Sequence, residues 1–426
     1  MKPFRSNLIV ICLFLLNQVL AEDRVQGRRS LVLNNDQSRL VIDIAGGSIP
    51  EFRFNDSKLN PLNWGSRNPG DQTGSMGHFL CCDRWGPPSD AEGKNIKRGD
   101  FFNGVNGTSL NDSNYITLLF GDDLTYTLNM ASIENGKVIS NGINIELTKE
   151  QNFESNPIQV NKTFNITDGQ QIGYLMYNQF VAKKSEDLND IFGLFDNKNI
   201  DHLIIDLRYN GGGSVKNCVE LASMITGQFK SEVFAEEQWN KKLVSYLENR
   251  FGSESLVNRF VDTLSNGSQI NSLNLDRIYM ITSSESASAS ELLINGLSSY
   301  IDVIQIGERT VGKNVGSITV YDYVDNEQTK NPDHTYAMQP IVLKMANSDG
   351  FADYTDGLEP NRFIEEDITN LGVLGELGEP LLTSTLNLIS GTKKLPFLKS
   401  KINREFLIID PRMLSRQKMI IKNKFN

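Results

Sequence analysis

Residues 281–313 read ITSSESASASELLINGLSSYIDVIQIGERTVGK, and this stretch indicates the architecture of the chain. An apolar strand is expected to end at Ile281, and a serine-rich turn then leads into a helix marked by the apolar residues 292–294. A second apolar strand is expected at residues 303–307, ahead of a glycine and Lys313. Strand, turn, helix and strand in this order are typical of a layered α/β structure.

The same alternation of strands and helices continues on both sides of this stretch. Branched apolar runs predict strands, and apolar residues at helical spacing predict helices. The expected strands cover residues 171–180, 202–207, 276–281, 303–307, 317–322 and 338–344, and the expected helices cover residues 185–196 and 216–225. We therefore predict an α+β fold with a layered α/β domain at residues 151–395, followed by a tail at residues 396–426.

Residues 229–266 interrupt this alternation. They are expected to form a mostly helical insertion. Trp239 and Phe251 are expected to anchor the insertion in the core.

The composition is that of an ordinary globular protein. The 426 residues are 39% hydrophobic and 22% charged, which leaves room for two or three domains with substantial cores. The formal net charge of −10 argues against nucleic acid or an anionic membrane surface as the partner. The sequence contains neither a CxxC pair nor an HxxxH pair, so no zinc site is expected.

Residues 1–21 have the pattern of a secretory signal. Lys2 and Arg5 form a charged start, residues 8–16 (LIVICLFLL) form the apolar run, and residues 19–21 (VLA) precede a polar chain. A membrane anchor is the alternative, but the apolar run is well short of the roughly 20 residues that span a bilayer. We therefore expect export to the periplasm or the cell exterior, without stable membrane insertion after the signal is removed.

Residues 22–95 are expected to be rich in β-structure and loops. The alternating residues 29–48 predict two short antiparallel strands. Residues 77–92 combine a histidine, an arginine and a tryptophan, and they are loosely similar to segments of galactose-mutarotase-like β-sandwiches. The segment is far too short to hold a whole catalytic domain of that kind, and local packing explains the same residues.

Residues 96–150 are expected to form strands around an Asn-Gly turn at positions 106 and 107, with a short helix around residues 114–119. The run Gly-Asp-Phe-Phe, followed by Val-Asn-Gly, is similar to the second half of a PDZ domain. The upstream half of such a domain is not recognisable, because residues 77–92 occupy its place. The sequence therefore predicts a partial PDZ-like region.

The serine-rich turn can supply a nucleophile beside an anion-binding site. Free backbone N–H groups and the helix dipole stabilise negative charge at a helix N-terminus, although plain N-capping by serine explains the same residues. Gly211, Gly212 and Gly213 follow a buried strand and can bring a further N–H close to a ligand. This run matches neither GxGxxG nor GxxxxGK[ST], the patterns of nucleotide-binding loops.

Lys313 is the expected base for such a serine. A lysine can act as a base only when neutral, and burial in an apolar pocket lowers the pKa of a lysine. The three histidines are the alternatives: His202 borders a core strand, His334 lies in a polar loop, and His78 lies in the N-terminal segment. No spacing among them supports a Ser–His–Asp arrangement.

Three motifs then follow in a recognisable order: DLRYNGGG at residues 206–213, SASASE at residues 286–291 and GERTVGK at residues 307–313. Together they resemble the tail-specific, or C-terminal processing, serine peptidases. The resemblance covers roughly residues 96–389. It implies a crotonase/ClpP-like layered peptidase core preceded by the partial PDZ-like region.

The resemblance also assigns roles to individual residues. It implies that Ser288 is the nucleophile and Lys313 the general base, and that the backbone N–H groups of Ala289 and Gly212 form the oxyanion hole. No metal or cofactor is required for this chemistry. Ser317 stands where many members carry a glutamine that orients the lysine, so Ser317 is a candidate orienter.

Glu291 is expected to cap the helix or to contact the loop rather than to transfer protons. The resemblance as a whole implies an exported serine endopeptidase that acts on unfolded or C-terminal segments of proteins, with protein or peptide substrates as its partners. A catalytically weak module of the same fold, which holds peptides or other ligands, is the alternative. The oligomeric state and the cleavage preference do not follow from the sequence.

Overall fold

A computed structural model gives the fold of the chain. The structure describes side chains for residues 96, 100–134, 138–149 and 156–391, with gaps at residues 112, 167–168, 326–327, 335–336 and 368–369. Elsewhere it describes only the backbone of residue 137 and of short strands before residue 80 and after residue 417. The predicted signal up to residue 20, and residues 77–92 apart from one strand at 78–79, lie outside the described residues.

The chain divides into two compact units. The first comprises Met1–Arg84, Ile318–Ile341 and Phe425–Asn426, and the second comprises Trp85–Ser317 and Val342–Lys424. No helix in the described part of either unit is long and apolar enough to cross a bilayer. The domain limits predicted from the sequence remain predictions.

The strands that the structure describes in the first unit pair in antiparallel fashion. One sheet has the order β1 (Ala21–Val25), β2 (Arg28–Asn34), β3 (Ser38–Asp43) and β5 (Glu51–Phe54), and separate pairs join β4 (Ser48–Ile49) to β6 (His78–Phe79) and β20 (Val320–Tyr321) to β21 (Ala337–Met338). The antiparallel pairing of β2 with β3 confirms the two strands predicted at residues 29–48.

The second unit begins with a four-stranded antiparallel sheet and a short helix. The sheet has the order β10 (Lys137–Thr148), β9 (Thr125–Glu134), β7 (Phe101–Val105) and β8 (Thr108–Ser109), and helix α1 covers Tyr115–Phe120. Asn106 and Gly107 have φ of 51° and 78°, as a two-residue hairpin turn requires. The predicted turn and helix are therefore confirmed.

A six-stranded sheet forms the centre of the second unit. Its order is β11 (Ile158–Asn165), β12 (Gln171–Tyr177), β13 (His202–Asp206), β17 (Arg277–Thr282), β18 (Asp302–Gly307) and β23 (Arg362–Phe363). Strands β11 and β12 are antiparallel, and all other neighbouring strands of this sheet are parallel. Parallel strands need crossover connections, and helices α2 (Ser185–Asn197), α3 (Val215–Thr226) and α5 (Ala289–Ser298) lie in those connections.

The core of this sheet explains why these residues become strands. Ile172, Ile204, Ile281 and Ile306 are fully buried and pack with leucines of helix α6 (Pro380–Ile389). Buried branched side chains are typical of parallel strands that are covered by helices. The layered α/β core predicted from the sequence is confirmed.

A second six-stranded sheet borders the glycine run. Its order is β14 (Gly212–Ser214), β24 (Lys418–Ile420), β19 (Val315–Ser317), β22 (Ile341–Asn347), β15 (Val233–Trp239) and β16 (Val257–Arg259). The single strand predicted at residues 317–322 is wrong. Strand β19 ends at Ser317 in the second unit, and the chain enters the first unit at Ile318.

The helical insertion predicted at residues 229–266 is wrong in its first half. Residues 233–239 form strand β15, which pairs with β22, and helix α4 (Lys241–Phe251) is the only α-helix between these limits. From Ala235 the side chains alternate between buried and exposed, as the period of a strand requires. Trp239 is buried as predicted, but Phe251 is 41% exposed and does not anchor a core.

Candidate active site

Ser288 occupies a strained position at the start of α5. Its φ of 63° and ψ of −111° lie outside the regions that L-residues normally adopt. The residue is fully buried, and its Oγ has no hydrogen-bond partner within the described residues. Buried polar groups without partners and strained backbones both cluster at functional sites.

Asn210 joins the glycine run to the serine turn. Its carbonyl oxygen accepts hydrogen bonds from the Ala287 N–H at 3.1 Å and the Ser290 hydroxyl at 2.8 Å. Its side-chain amide donates to the Tyr177 carbonyl at 2.8 Å, at the end of β12. The carboxyl ends of β12, β13 and β17 are thereby fixed to the turn that carries Ser288.

The glycine run needs its glycines for steric reasons. Gly212 and Gly213 have φ of 105° and 139°, which L-residues rarely adopt. A Cβ at Gly213 would also collide with the carbonyl oxygen of Phe180. The Gly212 N–H donates to the Asn210 side-chain oxygen at 2.9 Å, so this predicted oxyanion donor is engaged in the structure.

Ala289, the other predicted donor, is the first residue of α5. The first N–H groups of a helix have no acceptor within the helix. The helix itself therefore provides no acceptor for the Ala289 N–H. Its position directly after Ser288 fits the predicted role.

Glu291 connects the nucleophile to the predicted base. One carboxylate oxygen accepts hydrogen bonds from the backbone N–H of Ser288 at 2.7 Å and of Lys313 at 2.8 Å. The other oxygen accepts from the Thr310 hydroxyl at 2.6 Å and the Gly312 N–H at 2.5 Å. The backbone nitrogens of Ser288 and Lys313 therefore lie no farther apart than the sum of their two distances to this shared oxygen. Glu291 caps the helix and contacts the loop, as expected.

The buried position of Glu291 changes its acidity. Burial raises the pKa of Glu291 above its usual range, although the four donated hydrogen bonds oppose the shift. A carboxylate in this place is a positioning group for two backbone segments. Because its acceptor sites are filled by these donors, proton transfer to a substrate is not the role that the geometry supports.

Two glycines hold the loop before Lys313 against a later segment. Gly312 and Gly357 both have φ of 90°. A Cβ at Gly312 would collide with the Thr355 carbonyl oxygen, and a Cβ at Gly357 would collide with the Thr310 carbonyl oxygen. The two segments thus meet backbone to backbone, without side chains between them.

Arg208 forms a second buried charged cluster behind the glycine run. The fully buried guanidinium pairs with Asp206 at 2.6 Å, Glu379 at 2.6 Å and Glu366 at 2.8 Å. Burial alone would lower the pKa of Arg208. The negative charges of Asp206 and Glu379 outweigh burial, and the pKa is raised well above its usual value. Glu379 also caps α6 by accepting from the Leu382 N–H at 2.7 Å.

The predicted site residues come together in part. The structure joins the backbones of Ser288 and Lys313 through Glu291, and it joins the loop of Gly212 to the serine turn through Asn210. Ser317 is buried in β19, four residues after the lysine. Its role as orienter remains a prediction.

Two of the three histidines have described side chains, and each contacts a neighbour of its own. His202 begins β13, at the opposite end of that strand from the glycine run, and contacts the Tyr279 ring edge-on. His334 lies in the first unit, 3.3 Å from Asp322. The side chain of His78 is outside the described residues. The geometry of His202 therefore does not support it as the alternative base.

Sequence reasoning missed Asn210 and Arg208. Both residues follow the buried strand that ends in Asp-Leu. In α/β proteins, ligands bind beyond the carboxyl ends of the parallel strands. That position was the available signal. Two of the three partners of Arg208, Glu366 and Glu379, lie more than 150 positions away, and no pattern in the sequence marks them.

Comparisons with known proteins find similar sequences and folds. Residues 171–337 match the model of peptidase family S41. Over 210 residues the chain is 22% identical to the carboxyl-terminal-processing protease of Picosynechococcus sp. (strain ATCC 27264 / PCC 7002 / PR-6), and the match covers 45% of each protein. The chain thus spans less than half the length of this curated relative.

Solved structures match over a longer range. A protein of Bacteroides fragilis NCTC 9343 assigned to the S41 proteases is 20% identical, with 92% of each chain covered and a TM-score of 0.58, so the two share a fold. The photosystem II D1 C-terminal processing protease is 19% identical over 65% of each chain, with a TM-score of 0.39. The predicted resemblance to processing peptidases is confirmed by the match of residues 171–337 to the model of peptidase family S41.

Proposed function

We propose that the chain is a serine peptidase in which Ser288 is the nucleophile and Lys313 the general base. The observation that carries the proposal is the buried, strained Ser288, whose Oγ has no partner within the described residues. The backbone of Lys313 is held beside it by the same oxygen of Glu291. The S41 family match supports the peptidase class.

The proposed reaction is acyl transfer. Neutral Lys313 removes the Ser288 proton while Oγ bonds to the peptide carbonyl carbon, whose oxygen becomes the tetrahedral oxyanion. The C–N bond then breaks, and the protonated lysine returns the proton to the leaving amine. Lys313 then takes a proton from water, whose oxygen bonds to the ester carbon. The C–Oγ bond breaks, and Lys313 gives that proton to Oγ, which regenerates Ser288.

The oxyanion would be stabilised by two backbone donors. Ala289 supplies one N–H from the first turn of α5. The Gly212 N–H can supply the second only after it leaves Asn210, which accepts it at 2.9 Å in this structure. We therefore propose that peptide binding rearranges the glycine run before the chemical step.

The substrates would be unfolded or C-terminal segments of proteins. The curated relative is a carboxyl-terminal-processing protease. Short strands on both sides of the site, β14 and β19, favour an extended backbone as the ligand. We also propose that residues 96–150 form a partial PDZ-like region and residues 151–395 the peptidase domain.

Replacement of each dyad residue tests the mechanism. Ser288→Ala and Lys313→Ala are each expected to lower kcat/KM for an unfolded protein substrate by at least about 10³-fold, because members of a catalytic unit are individually indispensable. The matched controls are exposed, Ser298→Ala at the far end of α5 and Lys344→Ala in β22, and they should retain activity. Full activity in purified Ser288→Ala would overturn the proposal.

A peptide-holding module without catalysis is the second candidate. The engaged Gly212 N–H and the full burial of Ser288 favour it, because both features must change before hydrolysis. This candidate predicts that the unaltered chain binds a peptide and leaves it intact, as followed by mass spectrometry of the peptide over several hours. If the unaltered chain cleaves the peptide and the Ser288→Ala variant does not, the result favours the peptidase over the peptide-holding module.

We further propose that residues 1–21 direct export of the chain. Lys2, Arg5 and the apolar residues 8–16 support this proposal. Leu13→Arg, which interrupts the apolar run, is expected to retain the protein inside the cell. Cell fractionation with mass determination of the mature N-terminus tests this, and export of the variant at the level of the unaltered chain would contradict it.

A further inference from the structure

Strand β24 lies between two strands of the candidate active site. Lys418, Met419 and Ile420 pair in parallel with Gly212, Gly213 and Ser214 of β14 on one edge. On the other edge, Ile420 pairs in parallel with Ser317 of β19. The strand is therefore enclosed by main-chain partners on both sides.

The two flanking strands carry or border proposed catalytic groups. Strand β14 contains Gly212, the proposed oxyanion donor, and β19 begins two residues after Lys313. Neighbouring strands lie about 4.8 Å apart. Without β24, a slot of roughly 9–10 Å would separate the two edges, which is the space that one extended peptide fills.

Such a slot recognises the backbone of its ligand. Two strand edges with free N–H and C=O groups form a template for any added strand, and they bind it with little regard to its sequence. The ligand class is therefore an extended peptide that runs parallel to β14 and β19. In this structure the position is filled by residues of the same chain.

We propose that Lys418–Ile420 occupies in cis the slot in which peptide substrates bind, and so excludes them. The identity of the excluded ligand rests on the proposed function, whereas the pairing of β24 with β14 and β19 does not. Two observations fit a closed state: Ser288 is fully buried, and the Gly212 N–H is held by Asn210. A tethered segment acts at a high effective concentration, commonly in the millimolar range.

A proline in β24 tests the occupancy directly. Met419→Pro removes a backbone N–H from a strand that is paired on both edges, where proline is not tolerated. Met419→Ala keeps the N–H and is the matched control. Both changes are made in the full chain with Ser288→Ala, so that cleavage cannot affect binding. A chain that ends after Gln417 is the second variant, in case the proline disturbs folding.

The readout is binding of a fluorescent peptide with the sequence LSRQKMIIKNK, residues 414–424, followed by anisotropy. We expect the proline variant and the shortened chain to bind it at least about tenfold more tightly than the alanine control. The same peptide with proline in place of its methionine should not bind. Equal affinity of all three proteins, or no binding by any of them, would overturn the occupancy.

Hydrolysis separates this inference from the proposed function. With Ser288 restored, Met419→Pro is expected to cleave an unfolded substrate about tenfold faster than Met419→Ala. Tighter peptide binding without cleavage in either protein would refute the peptidase and leave the occupancy standing. Cleavage at equal rates with equal peptide affinities would refute the occupancy and leave the peptidase standing.

Discussion

Two buried charged groups in the second unit are held in opposite ways. In the carboxylate centre, Glu291 is surrounded by four neutral donors, three of them backbone N–H groups. In the arginine centre, Arg208 is surrounded by carboxylates, of which Asp206 and Glu379 are themselves buried. The first centre compensates its charge with dipoles, and the second with opposite charges.

This difference indicates two different tasks. The donors to Glu291 belong to the segments that carry Ser288 and Lys313, so a change there moves the candidate site. Two of the three partners of Arg208, Asp206 and Glu379, belong to the end of β13 and to the start of α6, so a change there disturbs the core. We expect the arginine centre to govern stability and the carboxylate centre to govern activity.

Removal of Arg208 should have the largest effect on stability. Arg208→Met leaves buried carboxylates without their counter-charge, and breaking such a buried pair typically costs about 3–5 kcal/mol. Urea denaturation of the purified chain would measure the loss. The control is Arg277→Met, which removes a solvent-exposed pair with Asp302 and should cost at most about 1 kcal/mol. Equal losses in the two variants would contradict the assignment of Arg208 to the core.

Glu291→Gln should have a smaller effect on stability and a larger one on activity. The amide N–H₂ group of glutamine cannot accept hydrogen bonds from the donors that it faces. One or two hydrogen bonds are therefore lost, which costs about 1–3 kcal/mol of stability. The backbones of Ser288 and Lys313 then lose their common partner. We expect kcat to fall at least about tenfold while KM changes little. The exposed Glu254→Gln serves as control, and a variant with unchanged kcat would show that Glu291 is only structural.

The pH dependence of stability should separate the two centres further. Because the pKa of Glu291 is raised on folding, the folded chain keeps that proton at pH values where the unfolded chain has released it. The stabilising contribution is therefore full below the unfolded pKa, about 4.3, and is lost as pH rises through the folded pKa.

Chemical denaturation of Ser288→Ala with and without Glu291→Gln, from pH 4 upward, measures this contribution. As pH rises, the glutamine variant should gain stability relative to the protein with Glu291. The gain in unfolding free energy should be about 1.4 kcal/mol for each unit by which folding raises the pKa of Glu291. Arg208 stays charged throughout, since its pKa is raised. A difference that is constant with pH would contradict the burial effect on Glu291.

Single hydroxyl deletions give the smallest and most specific test. Tyr174→Phe removes a 2.8 Å bond to Asp206. Thr310→Val removes a 2.6 Å bond to Glu291 and the acceptor of a 2.7 Å bond from the Leu358 N–H. Each should lower stability by about 0.5–1.5 kcal/mol. Only the Thr310 change should also lower kcat, and Thr310→Ser should restore it. Loss of activity in Tyr174→Phe alone would reverse the assignment of the two centres.

The strands and helices of the α/β core could be predicted because they depend on local pattern. Buried runs such as residues 202–207 and the serine turn carry their signal in consecutive residues. Strand β15 was misassigned because Glu236, Glu237 and Gln238 favour helices, whereas pairing with β22 decides the outcome. Tertiary contacts of this kind are not visible in a single sequence.

The candidate dyad could be predicted from motifs, but its support could not. The four bonds to Glu291 join residues 288, 310, 312 and 313, and only the fold places those residues around one carboxylate. The pairing of β24 with β14 depends on residues more than 200 positions apart. Neither strand has a sequence pattern that indicates the other as its pairing partner.

The contact between Gly312 and Gly357 sets a lower limit on the length of a working fragment. The S41 match ends at residue 337, whereas the backbone that supports the loop before Lys313 lies at residues 355–357. A fragment cut at the end of the family match would contain the whole proposed dyad and lack its support. During folding, the loop before Lys313 can reach its final conformation only after residues 355–357 arrive, so we expect the site to form late.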